Sequence, residues 1–304
     1  MSKDYTNIMR GIAILMIMVA HCGSILHTRL LTPLGGGGVT IFLILSGYGV
    51  SRSFSAKGLG YYWIKKIVRI CIPWLLVWTI SLFVNFCFNK QNIVEELKLL
   101  LLISSGNWFL QFLFLWYIIF YITHKWLYKN RWIIISFSSM VIFASLGNTQ
   151  AEQALSFPFG VLIAENSKGF VFLKTRSKEI GSLVLFAFAT FLFLKNTITI
   201  REQMNELPII EHAVNLLIKL PLGMFVIVAL KDSCTLTNNF LKFTGIISYE
   251  LFLVHLFVVF KVVSPMNNFI LQFLSLLVLS YLGAIMLHKI NGKISKKLFS
   301  LIRH

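Results

Sequence analysis

Ten long apolar segments constrain the fold of this chain more than any other feature of its sequence. Most are close to the ~20 residues that a helix needs to cross ~30 Å of hydrocarbon. Their apolar residues are continuous and do not alternate with polar ones, which favours helices over barrel strands. The sequence therefore predicts an all-α, polytopic membrane helix bundle with about ten transmembrane helices. The segments cover roughly residues 8–27, 38–54, 67–88, 107–124, 131–147, 153–167, 180–196, 208–230, 243–263 and 268–288.

The composition leaves no room for a large soluble domain. The chain has 304 residues, of which 57% are hydrophobic and 13% are charged, whereas soluble domains average about 25% charged residues. The first segment is followed by His27-Thr-Arg29 and not by a small-residue cleavage site, so we interpret it as a retained span. We expect a single integral membrane domain over residues 1–304.

The basic residues predict the orientation of the chain in the membrane. A net charge of +17 could suggest nucleic acid as a partner, but the Lys and Arg residues lie in short loops between apolar segments. If the N-terminus is cytoplasmic, about four-fifths of those outside the spans fall on the inside, as the positive-inside rule requires. We therefore expect both termini in the cytoplasm and no nucleic-acid partner. The four cysteines are scattered and have no metal-ligand spacing, so neither a metal site nor a disulfide framework is predicted.

Two polar side chains, Arg10 and His21, interrupt the first apolar segment. On an α-helix, eleven residues return to within ~20° of the same direction and rise ~16 Å along the axis. One face would then carry a cation near the cytoplasmic water and an imidazole roughly half-way through the bilayer. Arg10 alone could be an ordinary interfacial anchor. An ionisable group at the depth of His21 favours a functional site, with neutral imidazole as a general base.

A second group of basic residues precedes the third span. Lys66 and Arg69 are three residues apart and are predicted to share one helix face at the cytoplasmic entrance, near the depth of Arg10 and Lys65. Several cations at one entrance suit a polyphosphate ligand, and Arg offers planar bidentate donors. An ordinary positive-inside anchor would explain these residues about as well.

Two further ionisable residues lie within predicted spans. His255 shares a helix face with Ser248, and either a chemical role or a buried, hydrogen-bonded structural role fits it. Lys219 is either buried in the eighth span or extends to the outer surface by snorkelling. On the outer side, residues 92–103 are predicted to form an interfacial helix. Acceptor specificity is expected in the outer loops 27–38, 89–106 and 196–208.

Five motifs occur along the chain in a fixed order. They are Arg10 with His21, Gly38-Val-Thr-Ile-Phe-Leu-Ile-Leu-Ser-Gly-Tyr48, Lys66-Ile-Val-Arg69, Trp108-Phe-Leu110 and Ile247-Ser-Tyr-Glu-Leu-Phe-Leu-Val-His255. With these motifs the chain resembles the membrane acyltransferase-3 family, which O-acylates bacterial surface glycans and other extracytoplasmic acceptors. The resemblance covers about residues 4–290.

The resemblance implies an acyl-CoA donor, usually acetyl-CoA, that enters from the cytoplasm as a co-substrate and not as a tightly bound cofactor. It implies that Arg10, Lys66 and Arg69 hold the nucleotide end and that His21 is the catalytic base. The implied acceptor is a carbohydrate or lipid-linked glycan, and the implied location is the bacterial plasma (inner) membrane. Residues expected to line the site are Ser46, Trp108, Ser248, Tyr249 and His255.

Three residues depart from the family pattern. Thr40 replaces an acidic residue, which removes any charge there. Lys66 replaces Arg and keeps the charge, but it loses the bidentate geometry. Phe252 replaces Tyr and removes a hydroxyl group.

The sequence thus predicts a membrane-embedded acyltransferase that moves an acyl group, expected to be acetyl, from cytoplasmic acyl-CoA to a glycan hydroxyl. Direct transfer and an acyl-histidine intermediate both remain open, as do the acceptor, the acyl chain length and the oligomeric state. Alternatives from other classes are a transporter or flippase of lipid-linked sugar and a non-catalytic scaffold of glycan assembly. Inverted repeats would favour a transporter, and the sequence has none that we detect. It also lacks a phosphate-binding loop, so ATP-driven chemistry is not expected.

Overall fold

All regular secondary structure in the described residues is helical, which confirms the all-α prediction. The outer segment 92–103, predicted to be an interfacial helix, lies outside the described residues, as does the whole of the outer loop 89–106. The computed structural model describes residues 1–25, 28, 30–88, 108–166, 171–172, 175–230, 239–259 and 268–302.

Most of the described helices follow the apolar segments along the chain. In order they are α1 (Lys3–Ile25), α2 (Thr32–Lys57), α3 (Tyr62–Lys66), a π-helical turn (Ile67–Cys71), α4 (Ile72–Phe88), α5 (Trp108–Trp126), a 3₁₀ turn (Tyr128–Asn130), α6 (Arg131–Ser145), α7 (Asn148–Ala151), α8 (Ser156–Glu165), α9 (Ser177–Lys195), α10 (Ile198–Glu206), α11 (Pro208–Ala229), α12 (Asn239–Ile246), α13 (Ser248–Val258) and α14 (Phe269–Ile302).

The described helices confirm a polytopic membrane protein. By length and composition, six of them can cross a membrane, or seven if α12 and α13 form one broken span. The count is lower than the ten predicted segments, partly because two helices in the middle of the chain are short. With 15 and 10 residues, α6 and α8 extend only ~22 Å and ~15 Å, less than the ~30 Å of hydrocarbon. The six spans are Lys3–Gly23, Thr32–Lys57, Tyr62–Phe83, Ser177–Lys195, Pro208–Ala229 and Ile270–Ser300.

The helices are organised in two compact units. The first unit comprises Met1–Gly23, Thr28–Leu59 and Phe112–Gly245. The second comprises Ser24–His27, Gly60–Gln111 and Ile246–His304.

Helix α2 is the centre of the first unit. It is apolar on all sides and buried along most of its length, as expected of a helix surrounded by others. Glycines permit its closest contact, because a Cβ atom added at Gly160 of α8 would collide with the carbonyl oxygen of Ile44. Such small residues let helix backbones approach each other in membranes. Helix α2 also packs against α11, which in turn packs against α9. Gly58 ends the helix with φ 58° and donates to the Phe54 carbonyl at 2.8 Å.

Helix α1 packs against both α2 and α12. Its N-terminus is capped by Ser2, whose hydroxyl oxygen accepts a hydrogen bond from the Tyr5 N–H at 3.2 Å. This cap explains why α1 begins before the apolar segment. A Cβ atom at Gly11 would collide with the Leu241 carbonyl oxygen of α12. Apolar side chains of α1 and α2 then form a common core that includes Met9, Ala13, Ile41 and Ile44.

The second unit is built around α13 and α14, which pack against each other and against α4. The π turn at Ile67–Cys71 joins α3 to α4 within one span. Single π turns of this kind often occur at functional sites.

Candidate functional site

Arg10 and His21 lie on one unbroken helix, α1. The two residues are therefore ~16 Å apart along the helix axis and lie on one face of it, as predicted. Both side chains are partly buried. Arg10 lies ~10 Å from the start of α1 and His21 ~6 Å from its end. Within the described helix His21 is therefore closer to the end than to the start, and its depth in the membrane stays a prediction.

Arg10 belongs to a polar group contributed by three helices of the first unit. Tyr117 of α5 is only 4% exposed, and its side chain is hydrogen-bonded to Ser46 of α2. Arg10 lies close enough to Tyr117 to interact with it electrostatically. The structure thus brings two of the predicted residues, Arg10 and Ser46, to the same buried phenol. The sequence did not predict Tyr117 as a site residue, because it lies in an aromatic-rich run in which nothing distinguishes it.

Lys66 and Arg69 lie at the π turn of the second unit. Lys66 ends α3 and its ammonium group lies 5.5 Å from the ring centroid of Tyr62. Arg69 lies within the turn and is exposed. A π turn has more residues per turn than an α-helix, so the three-residue spacing does not place these side chains on one face as it would in a regular helix. The turn was not predicted, because no residue type in this stretch marks it.

Tyr249 connects α13 to this turn. Its hydroxyl donates a hydrogen bond to the Ile70 carbonyl oxygen at 2.8 Å. The carbonyl groups of a π turn depart from the regular α-helical pattern, and Ile70 directly follows Arg69. Tyr249, predicted only to line a site, therefore contacts the turn that carries the exposed arginine.

Three other predicted lining residues also lie in the second unit. His255 is fully buried, and its Nδ1 lies 2.9 Å from the Leu251 carbonyl oxygen. Because that oxygen only accepts, Nδ1 carries a proton. The His255 ring contacts Phe252, Phe252 contacts Phe109, and Phe109 contacts Trp108. Ser248 is 3% exposed. These contacts agree with the structural interpretation of His255.

The first unit contains a buried polar cluster that was not predicted from the sequence. Lys219 of α11 forms an ion pair with Glu152, and the two residues are 8% and 6% exposed. Lys219 is therefore buried and does not snorkel to the surface. The adjacent Gln153 donates from Nε2 to the Gly36 carbonyl at 3.0 Å and lies 2.9 Å from the Thr40 hydroxyl. A Lys within one apolar segment and a Glu just before another were the only sequence signal for this pair.

A second missed cluster joins α5, α6 and α8 at their predicted cytoplasmic ends. Arg131 donates from Nε and a terminal nitrogen to one carboxylate oxygen of Glu165, at 3.0 and 2.8 Å. His124 Nε2 lies 3.1 Å from the other oxygen. Helix α8 is not one of the six spans. Burial disfavours the Glu165 carboxylate, but the hydrogen bonds from His124 and Arg131 outweigh it and hold its pKa below the ordinary value.

The described residues contain no group of three or more His, Cys, Asp or Glu side chains that could hold a metal ion. The side chains of Arg10, Lys66 and Arg69 are themselves cations, which attract anionic ligands.

Comparison with known proteins gives one match. A family model described as an acyltransferase domain, acyltransferase 3, matches residues 3–289. No curated protein and no solved structure matches the chain significantly. The family model covers nearly the whole chain, including both described units. The chain therefore belongs to the acyltransferase 3 family and is an integral, multi-pass membrane acyltransferase that uses an acyl donor.

Proposed function

We propose that this protein transfers an acyl group, expected to be acetyl, from cytoplasmic acyl-CoA to a hydroxyl group of a cell-surface or lipid-linked glycan. The proposed location is the bacterial plasma membrane. The observation that carries the proposal is that Arg10 and His21 share one face of the unbroken helix α1 in a chain of this family. This face has a cation near the predicted cytoplasmic end and an imidazole toward the outer end.

Arg10 is proposed to bind phosphate groups of the donor. Its guanidinium group offers planar, bidentate donors that match phosphate oxygens. The neighbouring Tyr117 and Ser46 support this assignment, because their hydrogen bond orders the buried surface beside Arg10. Lys66 and Arg69 are proposed to bind donor phosphates as well, since Arg69 is exposed and Tyr249 contacts its turn.

His21 is proposed to act as the general base. The neutral imidazole would accept the proton of the acceptor hydroxyl while the hydroxyl oxygen attacks the thioester carbonyl carbon. The carbon–sulfur bond then breaks, and the imidazolium returns the proton to the departing CoA thiolate. The products are the ester and free CoA, and the imidazole is regenerated. General-base catalysis of this kind contributes about 10²- to 10⁴-fold in rate.

The test is the release of free CoA from acetyl-CoA by the purified protein in lipid nanodiscs. Candidate glycans are added singly, and the acylated product is identified by mass spectrometry. Glycan-dependent CoA release with matching ester formation supports the proposal. If every glycan leaves CoA release at the level of empty nanodiscs while acetyl-CoA binds, the assignment of acetyl-CoA as donor or glycan as acceptor is wrong.

A further inference from the structure

The N-terminal turns of α2 lie between α1 and α11. A Cβ atom added at Gly35 would lie 2.8 Å from the Cβ of Ala20, the residue that precedes His21. A Cβ atom added at the next residue, Gly36, would collide with the Cγ, Cδ and Cε atoms of Lys219. The glycines thus transmit a contact from α11 across α2 to the helical turn that carries His21.

The ammonium group of Lys219 reaches Glu152 by crossing Gly36. Its aliphatic stem fills the space that a side chain at position 36 would need, and its end forms the buried ion pair with Glu152. Any larger residue at position 36 would therefore displace the lysine stem. The geometry requires glycine here because of the lysine, not because of the backbone conformation.

Hydrogen bonds from Gln153 hold the same turn of α2 from a second direction. Gln153 Nε2 donates to the Gly36 carbonyl, and Gln153 Oε1 accepts from Ser156 at 2.8 Å and lies within reach of the fully buried Thr40 hydroxyl. Glu152 and Gln153 are adjacent in sequence. The ion pair and the amide network therefore act on one place, the start of α2 opposite Ala20.

A buried ion pair is a poor source of stability. Removing two charges from water is costly, and apolar replacements of similar volume are often neutral or stabilising. Ionisable residues at membrane depth are costly as well. The pair Lys219–Glu152 is thus better explained by the specific position that it imposes on α2 than by the free energy of unfolding.

We propose that Lys219 and Glu152 are positioning residues that set the location of His21 through the Gly35–Gly36 turn of α2. The proposal rests on the proposed role of His21 as the base of acyl transfer. Neither residue touches the reacting atoms in this account. They act by fixing the turn against which Ala20 packs.

Two matched glycine variants test the link. Gly36→Ala introduces the collision with Lys219, whereas Gly49→Ala, in the same helix, meets no atom within 4 Å. A misplacement of about 1 Å can cost about 100-fold in rate. We therefore expect Gly36→Ala to lower kcat for CoA release by about 10- to 100-fold, with an unchanged KM for acetyl-CoA. Gly49→Ala should leave both constants unchanged.

The double variant Lys219→Met/Glu152→Gln keeps the experiment informative if Gly36→Ala does not fold. It replaces the ion pair by uncharged side chains of similar length, so the protein is expected to fold while the position of α2 is no longer imposed. We measure by mass spectrometry the rate at which diethyl pyrocarbonate modifies His21. A merely structural role of the ion pair would leave this rate unchanged. We expect this rate to change in both disruptive variants and to stay constant in Gly49→Ala.

An unchanged His21 modification rate in the folded disruptive variants, or an unchanged kcat, would overturn the positioning role. The failure of the proposed function looks different. In that case the His21→Ala variant keeps wild-type turnover. The Gly36→Ala variant, in which His21 is intact, still shows a changed rate of His21 modification.

Discussion

The Tyr249 hydroxyl donates a hydrogen bond to the Ile70 carbonyl oxygen at 2.8 Å, and so holds the π turn that carries Arg69. A hydrogen bond of this kind contributes about 0.5–1.5 kcal/mol. Tyr249→Phe is therefore expected to raise the Kd for acetyl-CoA about 2- to 10-fold, with a smaller effect on kcat. The measurement is acetyl-CoA binding by isothermal titration calorimetry in nanodiscs. In an Arg69→Ala background the same change should have no further effect, because the turn then has no guanidinium to place. Fully additive losses would contradict this relationship.

Arg69 should bind the donor mainly through charge. Arg69→Ala is expected to weaken acetyl-CoA binding, and the loss should be larger at low than at high ionic strength, since salt screens exposed charges. Arg52→Ala is the matched control, because Arg52 is also an exposed arginine on the predicted cytoplasmic side. Equal losses at both salt concentrations, or equal losses in the two variants, would remove Arg69 from the phosphate site.

We expect Glu165 to make the free energy of unfolding depend on pH. Its folded pKa lies below the ordinary 4.5 because hydrogen bonds from His124 and Arg131 favour the carboxylate. A depressed folded pKa means that its stabilising contribution is present above the unfolded pKa and is lost as the pH falls through the folded pKa. Glu165→Gln is expected to lower the free energy of unfolding by about 1.5–3 kcal/mol at pH 7.

The measurement is the thermal midpoint in detergent from pH 7 down to pH 3. The difference between wild type and Glu165→Gln should shrink below pH 4.5, while the exposed Glu202→Gln control follows wild type throughout. A constant difference across this range would show that the ionised carboxylate is not what stabilises this cluster.

The contact between α2 and α8 should tolerate no side chain at Gly160. Gly160→Ala would push a Cβ atom into the Ile44 carbonyl oxygen, and such overpacking costs about 1–3 kcal/mol. Gly181→Ala, in a helix where the added atom meets nothing within 4 Å, should be neutral or stabilise by about 0.5–1 kcal/mol. Denaturant titration of the two variants in detergent measures the difference, and equal stability would contradict the close approach.

The positions of most helices could be predicted from the sequence, because a helix that crosses the hydrocarbon needs a continuous apolar run. The spacing of Arg10 and His21 could be predicted for a similar reason, since it depends only on regular helix geometry within one segment. The start of α1 was predicted less accurately, because the cap at Ser2 extends the helix beyond its apolar run.

The features that could not be predicted from the sequence depend mostly on side chains that are far apart in the chain. Lys219 and Glu152 pair across 67 residues, and Glu165 meets His124 and Arg131 from a different helix. No local pattern encodes such pairings. The π turn at Arg69 is a backbone irregularity that residue types do not mark.

The central claim is that His21 is the base of acyl transfer, and glycan-dependent CoA release by His21→Ala tests it most directly. The variant is compared with wild type in nanodiscs, after equal thermal midpoints and equal acetyl-CoA binding have shown that both are folded and loaded. We predict a loss of about 10²- to 10⁴-fold in kcat, the contribution of a general base, with little change in KM for acetyl-CoA. Undiminished turnover by His21→Ala would contradict the account.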